Sequence, residues 1–190
     1  MKKRLMSLVL ILAMAMTLCV GMALTANAED AVPASSVYHD GVRYCIDHGI
    51  MRGYGNSFHR DGVATRQQVW MMLARISGET PADMAAARAW AMENGVSDGT
   101  NPTKAVTRQQ FITMLYRYAV DQGYDVSVGE DTNILSYEDA FDISEYAIPA
   151  VQWGCGSGIM GGYADGYLKP FETATRAHMA AFLQRFCVGA

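Results

Sequence analysis

The chain has 190 residues, 51% of them apolar, with 15 Lys and Arg against 19 Asp and Glu and a formal net charge of −4. An acidic balance of this kind argues against nonspecific binding to nucleic acid or to an anionic membrane.

The first residues read as an export signal. Lys2, Lys3 and Arg4 form a positive start, Leu5 to Leu24 is almost wholly apolar, and Ala26-Asn27-Ala28 is a small-x-small cleavage site. The apolar run ends at that site and the acidic pair Glu29-Asp30, not at a basic stop-transfer flank, so a signal peptide is expected and not a membrane anchor. Cys19 is a poor lipid acceptor because the bulky Leu18 precedes it. Cleavage would leave 162 residues beginning at Glu29, with 12 Lys and Arg against 19 Asp and Glu, a net charge of −7 and no membrane segment. No Lys or Arg occurs between Arg117 and Lys169, whereas Asp121, Asp125, Glu130, Asp131, Glu138, Asp139, Asp142, Glu145 and Asp165 fall there; this reads as a solvated acidic surface. Cys45, Cys155 and Cys187 lie in apolar helical stretches and fit no zinc spacing, so they read as small buried hydrophobes. Nothing in the spacing supports a Cys155–Cys187 bridge.

Three segments repeat in register. The first runs Tyr44 to Tyr54 through Gly49-Ile50 and Gly53-Tyr54 and then, after a loop, reaches Thr65-Arg66. The second runs from Trp90 through Gly95-Val96 and a shorter loop to Thr107-Arg108. The third runs from Trp153 through Gly158-Ile159, Gly162-Tyr163 and Asp165-Gly166-Tyr167 to Thr175-Arg176. After each Thr-Arg an apolar stripe follows at helical spacing: Val69, Met72, Leu73, Ile76; Phe111, Met114, Leu115, Tyr118; Met179, Phe182, Leu183, Phe186. Arg75, Arg117 and Arg185 occupy one matching place near the ends of these helices and read as structural.

Each Thr is a good N-cap, and Thr65–Gln68 and Thr107–Gln110 match a capping box, which His178 leaves incomplete in the third copy. The segments before the loops are also helical. They stop at Gly49, Gly95 and Gly158, and Pro149 suits a first helical turn. The loops around Tyr54 and Tyr163 alternate aromatics with turn formers, which suggests short hairpins. The expected division is a signal peptide (1–28), copy one (29–78), copy two with a truncated loop (79–120), an acidic connector (121–136) and copy three (137–190). The expected class is all-α, built of three helix–loop–helix repeats. Leu73, Leu115 and Leu183 should share one core.

This ordered set resembles the S-layer homology domain, which usually occurs as three tandem copies. The third copy is the most similar, with Tyr137-Glu138-Asp139 standing for the family's opening Phe-x-Asp. The resemblance implies pseudo-threefold symmetry around a central helical bundle, with ligand grooves between copies. It further implies a noncovalent anchor that binds a secondary polymer of the Gram-positive cell wall, an anionic and often pyruvylated polysaccharide, at the cell surface. The family's motif Arg contacts the anionic sugar, a role that maps onto Arg66, Arg108 and Arg176. This sequence departs from the family in keeping no Glu after any Thr-Arg and in lacking Gly-Tyr in copy two.

The residues themselves suit that ligand. A ketal carboxylate wants a bidentate guanidinium, and a helix N-terminus adds a dipole and free amides. Tyr54, Tyr163 and Tyr167 offer platforms for sugar faces, while Gly53 and Gly162 permit close approach. The candidate polysaccharide-binding set is therefore Arg66, Arg108 and Arg176 with Thr65, Thr107, Thr175, Gly53, Tyr54, Gly162, Tyr163, Asp165 and Tyr167. Arg66 and Arg176 are expected to lead, because the loop of copy two is short and lacks the aromatic. No catalytic constellation stands out, and neither a metal nor a cofactor is expected. The rival reading is a surface scaffold that binds a protein partner through the grooves between copies.

Overall fold

The structure, a computed structural model, describes residues 32–54 and 57–189. The export signal with its cleavage site, Cys19 and the Gly55-Asn56 dipeptide of the first loop lie outside the described residues. Six α-helices make the fold: α1 (His39–Asp47), α2 (Arg66–Ile76), α3 (Met84–Glu93), α4 (Arg108–Asp121), α5 (Ile148–Gly156) and α6 (Arg176–Gly189). Three short 3₁₀ turns, at Ser127–Gly129, Ala140–Asp142 and Glu145–Ala147, shape the stretch between α4 and α5. Among the described residues β structure is confined to isolated bridges, so the fold is all-α as expected.

Local chemistry fixes the helix ends. Asp83 caps α3 by accepting from Ala86 N at 2.8 Å. Pro149 lies in the first turn of α5, where its missing N–H is harmless. The helices α1, α3 and α5 stop just before Gly49, Gly95 and Gly158, whose φ values of 67°, 66° and 72° are left-handed. Three non-glycine residues share that conformation. His59, Asn101 and Lys169 have φ of 54°, 51° and 53°, and each stands six places before its copy's Thr. A non-glycine residue in this region costs about 1–2 kcal/mol, so its recurrence at one register shows a turn imposed from outside the residue.

With the copies numbered as the sequence divides the chain, packing between helices runs across them. The first helix of copy two (α3) packs on α2 of copy one, and the first helix of copy three (α5) packs on α4 of copy two. The first helix of copy one (α1) packs on α6 of copy three, which closes the cycle. The residues just before each Thr close a smaller cycle of backbone hydrogen bonds. Val106 N donates to Ala64 O at 2.9 Å, Ala174 N to Val106 O at 2.9 Å and Ala64 N to Ala174 O at 3.1 Å. All three residues are fully buried. Leu73, Leu115 and Leu183 are also fully buried and belong to one contiguous core. Phe111 on α4 meets Phe182 on α6 within it, with ring centroids 5.8 Å apart.

Candidate binding site at the three Thr-Arg junctions

The N-termini of α2, α4 and α6 lie against loops, but each loop belongs to the next copy round the cycle. Arg66 N and Gln67 N donate to Lys104 O and Pro102 O; Arg108 N and Gln109 N donate to Glu172 O and Pro170 O; Arg176 N and Ala177 N donate to Gly62 O and Arg60 O. These are the first two amides of each helix, which have no partner within the helix itself. They are therefore already satisfied by protein, and the free amides expected for an anion are absent at these positions.

The Gln halves of the capping boxes follow the sequence, and Thr107 Oγ1 accepts from Gln110 N at 3.4 Å, whereas Thr65 Oγ1 is buried with no hydrogen-bond partner among the described residues. Gln68 Oε1 accepts from Thr65 N at 3.0 Å and Gln110 Oε1 accepts from Thr107 N at 3.1 Å. In copy three the box is complete after all, with imidazole in place of amide. His178 Nδ1 accepts from Thr175 N at 3.4 Å, and His178 N donates to Thr175 Oγ1 at 3.2 Å. Burial, reinforced by the Arg108 charge, lowers the pKa of His178 and favours the neutral ring that this bond needs.

The arginine side chains reach into the same neighbouring loops. Arg108 Nε donates to Leu168 O at 2.9 Å and its Nη2 to Gly161 O at 2.9 Å. Arg176 makes the matching pair, Nε to Phe58 O at 2.9 Å and Nη2 to Arg52 O at 2.7 Å. Aromatic faces cover both guanidinium groups, Tyr163 at 4.8 Å for Arg108 and Tyr54 at 4.7 Å for Arg176. Arg66 keeps the first bond, Nε to Thr100 O at 2.8 Å, but its Nη2 meets side chains instead: Ser97 Oγ at 3.1 Å and Asp98 Oδ1 at 3.0 Å. Hydrogen bonds from the Thr100 backbone and hydroxyl, with the Arg66 charge, hold the Asp98 carboxyl below its ordinary pKa.

This offset removes the ground for ranking Arg108 below Arg66. Arg108 does not face the truncated loop of its own copy but the aromatic loop of copy three. Arg66 is the one that meets the truncated loop, and there it has Asp98 as an internal counter-ion. Arg108 and Arg176 are buried. Removing either leaves two carbonyls without donors, so these arginines hold the copies together as well as presenting charge.

The other candidates divide. Tyr54 and Tyr167 are exposed and Tyr163 is half-buried under Lys169, whose Nζ stands 4.3 Å above its ring. Asp165 pairs with Lys169 at 2.8 Å and accepts from Tyr167 N, which closes the loop and holds its carboxyl low. Gly162 is small for an internal reason: a Cβ there would run into the Tyr137 ring. Gly53, Tyr54, Gln68, Arg75 and Arg176 line a cavity of about 180 Å³. A second cavity of about 270 Å³ is lined by Arg66, Asp98, Gln110, Arg117 and Tyr146.

The role of Asp139 escaped the sequence reading, and the three arginines read as structural divide. Asp139, in the opening motif, accepts from Leu168 N at 2.8 Å and Lys169 N at 2.7 Å, and so fixes the loop that receives Arg108. Arg75 and Arg185 donate to Ile50 O and Ile159 O, each at 3.1 Å, which ties each helix to the end of its copy's first helix. Arg117 occupies the same register but lies exposed beside Arg66.

No curated protein matches this chain significantly. Domains of the family that does match are binding and anchoring modules of cell-surface and S-layer proteins, generally held to the cell wall through secondary wall polymers. Neither match includes residues 70–135, which hold the truncated loop and Thr107-Arg108. The chain carries two matches to the S-layer homology domain family, at residues 29–69 and 136–180.

Proposed function

We propose that this protein is exported and holds noncovalently to a Gram-positive cell wall, by binding an anionic secondary wall polysaccharide in the grooves where its copies meet. On this reading the chain has three copies in pseudo-threefold array, the middle one diverged beyond the family's pattern. The closed cycle of helix contacts and of Ala64, Val106 and Ala174 hydrogen bonds supports that arrangement.

One observation carries the functional reading. Arg176 from one copy and Tyr54 from another stand 4.7 Å apart beside an open cavity that also receives Gln68 and Arg75. A sugar carrying a carboxylate wants such a set, with fixed positive charge, an aromatic face and amide donors. Nη1 of Arg108 and of Arg176 has no protein acceptor among the described residues, which leaves donors for the ligand. Arg108 with Tyr163 repeats the pair, whereas Arg66, neutralised by Asp98, contributes least. Thr65, Thr107 and Thr175 position the arginines as caps. Asp165 and Tyr167 shape the third loop, and the exposed Tyr167 face adds a platform.

The test is co-sedimentation of the mature protein with wall sacculi, before and after hydrofluoric acid strips the secondary polymer. Binding should be lost on stripping. It should weaken in Tyr54→Ala, a variant whose exposed side chain can go without unfolding the chain; a thermal melt checks this. Equal retention on stripped sacculi would overturn the polymer reading in favour of a peptidoglycan or protein target.

A further inference from the structure

Between α4 and α5 the chain presents a second surface, which shares no lining residue with the two arginine cavities. Thr132, Leu135, Phe141, Ile143, Ile148 and Gln152 help to line a cavity of about 340 Å³ that contains no charged side chain. Three of its apolar residues are open to solvent, Phe141 at 89%, Leu135 at 65% and Ile148 at 37% exposed. Scattered exposed apolar residues need no explanation, but a large apolar cluster around a cavity marks an interaction site.

The charged residues next to it along the chain have one sign. Asp131 adjoins Thr132, Asp142 lies between Phe141 and Ile143, and Glu138 and Glu145 flank the same stretch. All four are exposed, and none has an ion-pair partner among the described residues. No Lys or Arg occurs between Arg117 and Lys169 to compensate them. The segment is nevertheless well held. The buried Ile134, Ala140 and Ile143 anchor it from beneath, Asp139 is bonded to Leu168 and Lys169, and Gln152 Nε2 donates to Thr132 O at 3.1 Å. A fixed apolar surface flanked along the chain by exposed carboxylates without ion-pair partners is complementary to an apolar segment flanked by cations. The same charge repels an anionic wall polymer, and a second copy of this chain brings the same net negative charge.

We infer that the face formed by Leu135, Phe141 and Ile148 docks a basic, amphipathic segment of a partner protein, one that places large apolar side chains in the cavity and Lys or Arg against Asp131, Asp142 and Glu145. This goes beyond wall binding and does not depend on it. If both hold, the chain joins a wall polymer on one surface to a cationic protein on another.

The experiment uses the mature protein and two synthetic amphipathic peptides with the same Leu and Phe pattern, one with Lys and one with Glu on its polar face. Calorimetry should show the Lys peptide binding, more weakly as salt rises, and the Glu peptide not binding. The double variant Leu135→Ser, Phe141→Ser should weaken the Lys peptide by at least about tenfold, because central apolar anchors dominate such contacts. Asp142→Lys with Glu145→Lys should reverse the preference between peptides. All these variants should sediment with sacculi like the parent, so a failure here is separable from a failure of wall binding. Equal affinity of the parent and the double serine variant for the Lys peptide, or equal binding of both peptides to the parent, would overturn the inference. So would a parent dimer in sedimentation equilibrium that Phe141→Ser abolishes, since that assigns the face to a second copy.

Discussion

His178 shows how one side chain can replace another by supplying the same atom. In copies one and two a Gln oxygen accepts the N–H of the capping Thr; in copy three the imidazole Nδ1 does so. An amide does not titrate in the ordinary range, but imidazole does. The folded chain holds the His178 pKa below its ordinary 6.5, through burial first and the Arg108 charge second. Protonation therefore favours the unfolded chain. The contribution to stability is complete above pH 6.5 and is lost as pH falls from there through the lowered folded value. His178→Gln should remove this loss. Thermal melts of the parent and the variant at neutral pH and at pH about 5 check it: the parent should lose more stability on acidification than the variant. An identical loss in both would mean that other groups set the acid sensitivity. The arginines show the reverse case, in which one residue type at one register does different work. Arg108 and Arg176 bridge two carbonyls beneath an aromatic face, whereas Arg66 is answered by Asp98, which stands three places after Gly95 as Arg52 and Gly161 stand after Gly49 and Gly158.

Helix α1 carries a similar constraint at the level of elements. Gly41 is buried, and a Cβ built on it would stand 2.7 Å from Ala181 Cα on α6. The contact is with backbone, so no side chain can rotate away. In an open helix Gly→Ala gains about 1 kcal/mol from lower backbone entropy. Here the sign reverses: Gly41→Ala must push α1 off α6, and forced overpacking of this kind costs about 1–3 kcal/mol. Urea denaturation should show the midpoint falling with an unchanged slope. A rise in the midpoint would show that α1 is not seated on α6 at this distance. The element boundaries themselves were legible in the sequence, because caps, apolar spacing and glycine stops act within one turn of the chain. The 3₁₀ turns between α4 and α5 were not legible. Its first part, residues 121–136, read as an acidic connector and the rest as the opening of copy three, since its anchors, Ile134 and Ala140 beneath and Leu168 opposite, give no periodic signal.

For the whole molecule the packing order makes a distinct claim about stability. Repeats stacked in a row contact only their neighbours, and their ends can unravel separately. Here α1 packs on α6, so the first and last copies are also neighbours. A closed cycle should unfold as one unit. The chain has three Trp, and Trp70, Trp90 and Trp153 fall one in each copy. Variants that keep a single Trp should give coincident urea midpoints by fluorescence once corrected for their differing stabilities, and Gly41→Ala should move all three together. Separate midpoints for Trp70 and Trp153 would refute the closed unit.

The sequence by itself determined what depends on near neighbours along the chain. It placed the helix starts at Thr65, Thr107 and Thr175, the buried stripes that include Leu73, Leu115 and Leu183, and the register that the three Thr-Arg segments share. Each of these is an interaction across a few residues, so spacing encodes it. Only the tertiary structure decided which loop each arginine meets. The sequence reading paired every Arg with the loop just before it, whereas the cyclic packing delivers each Arg to the loop of the next copy. The physical reason is that the unpaired amides of a helix start and the guanidinium beside them are satisfied by whichever carbonyls the packed core brings near. Local spacing does not encode that choice. The exposed Leu135 and Phe141 beside unpaired Asp131 and Asp142 likewise became a surface only when the fold left them uncovered.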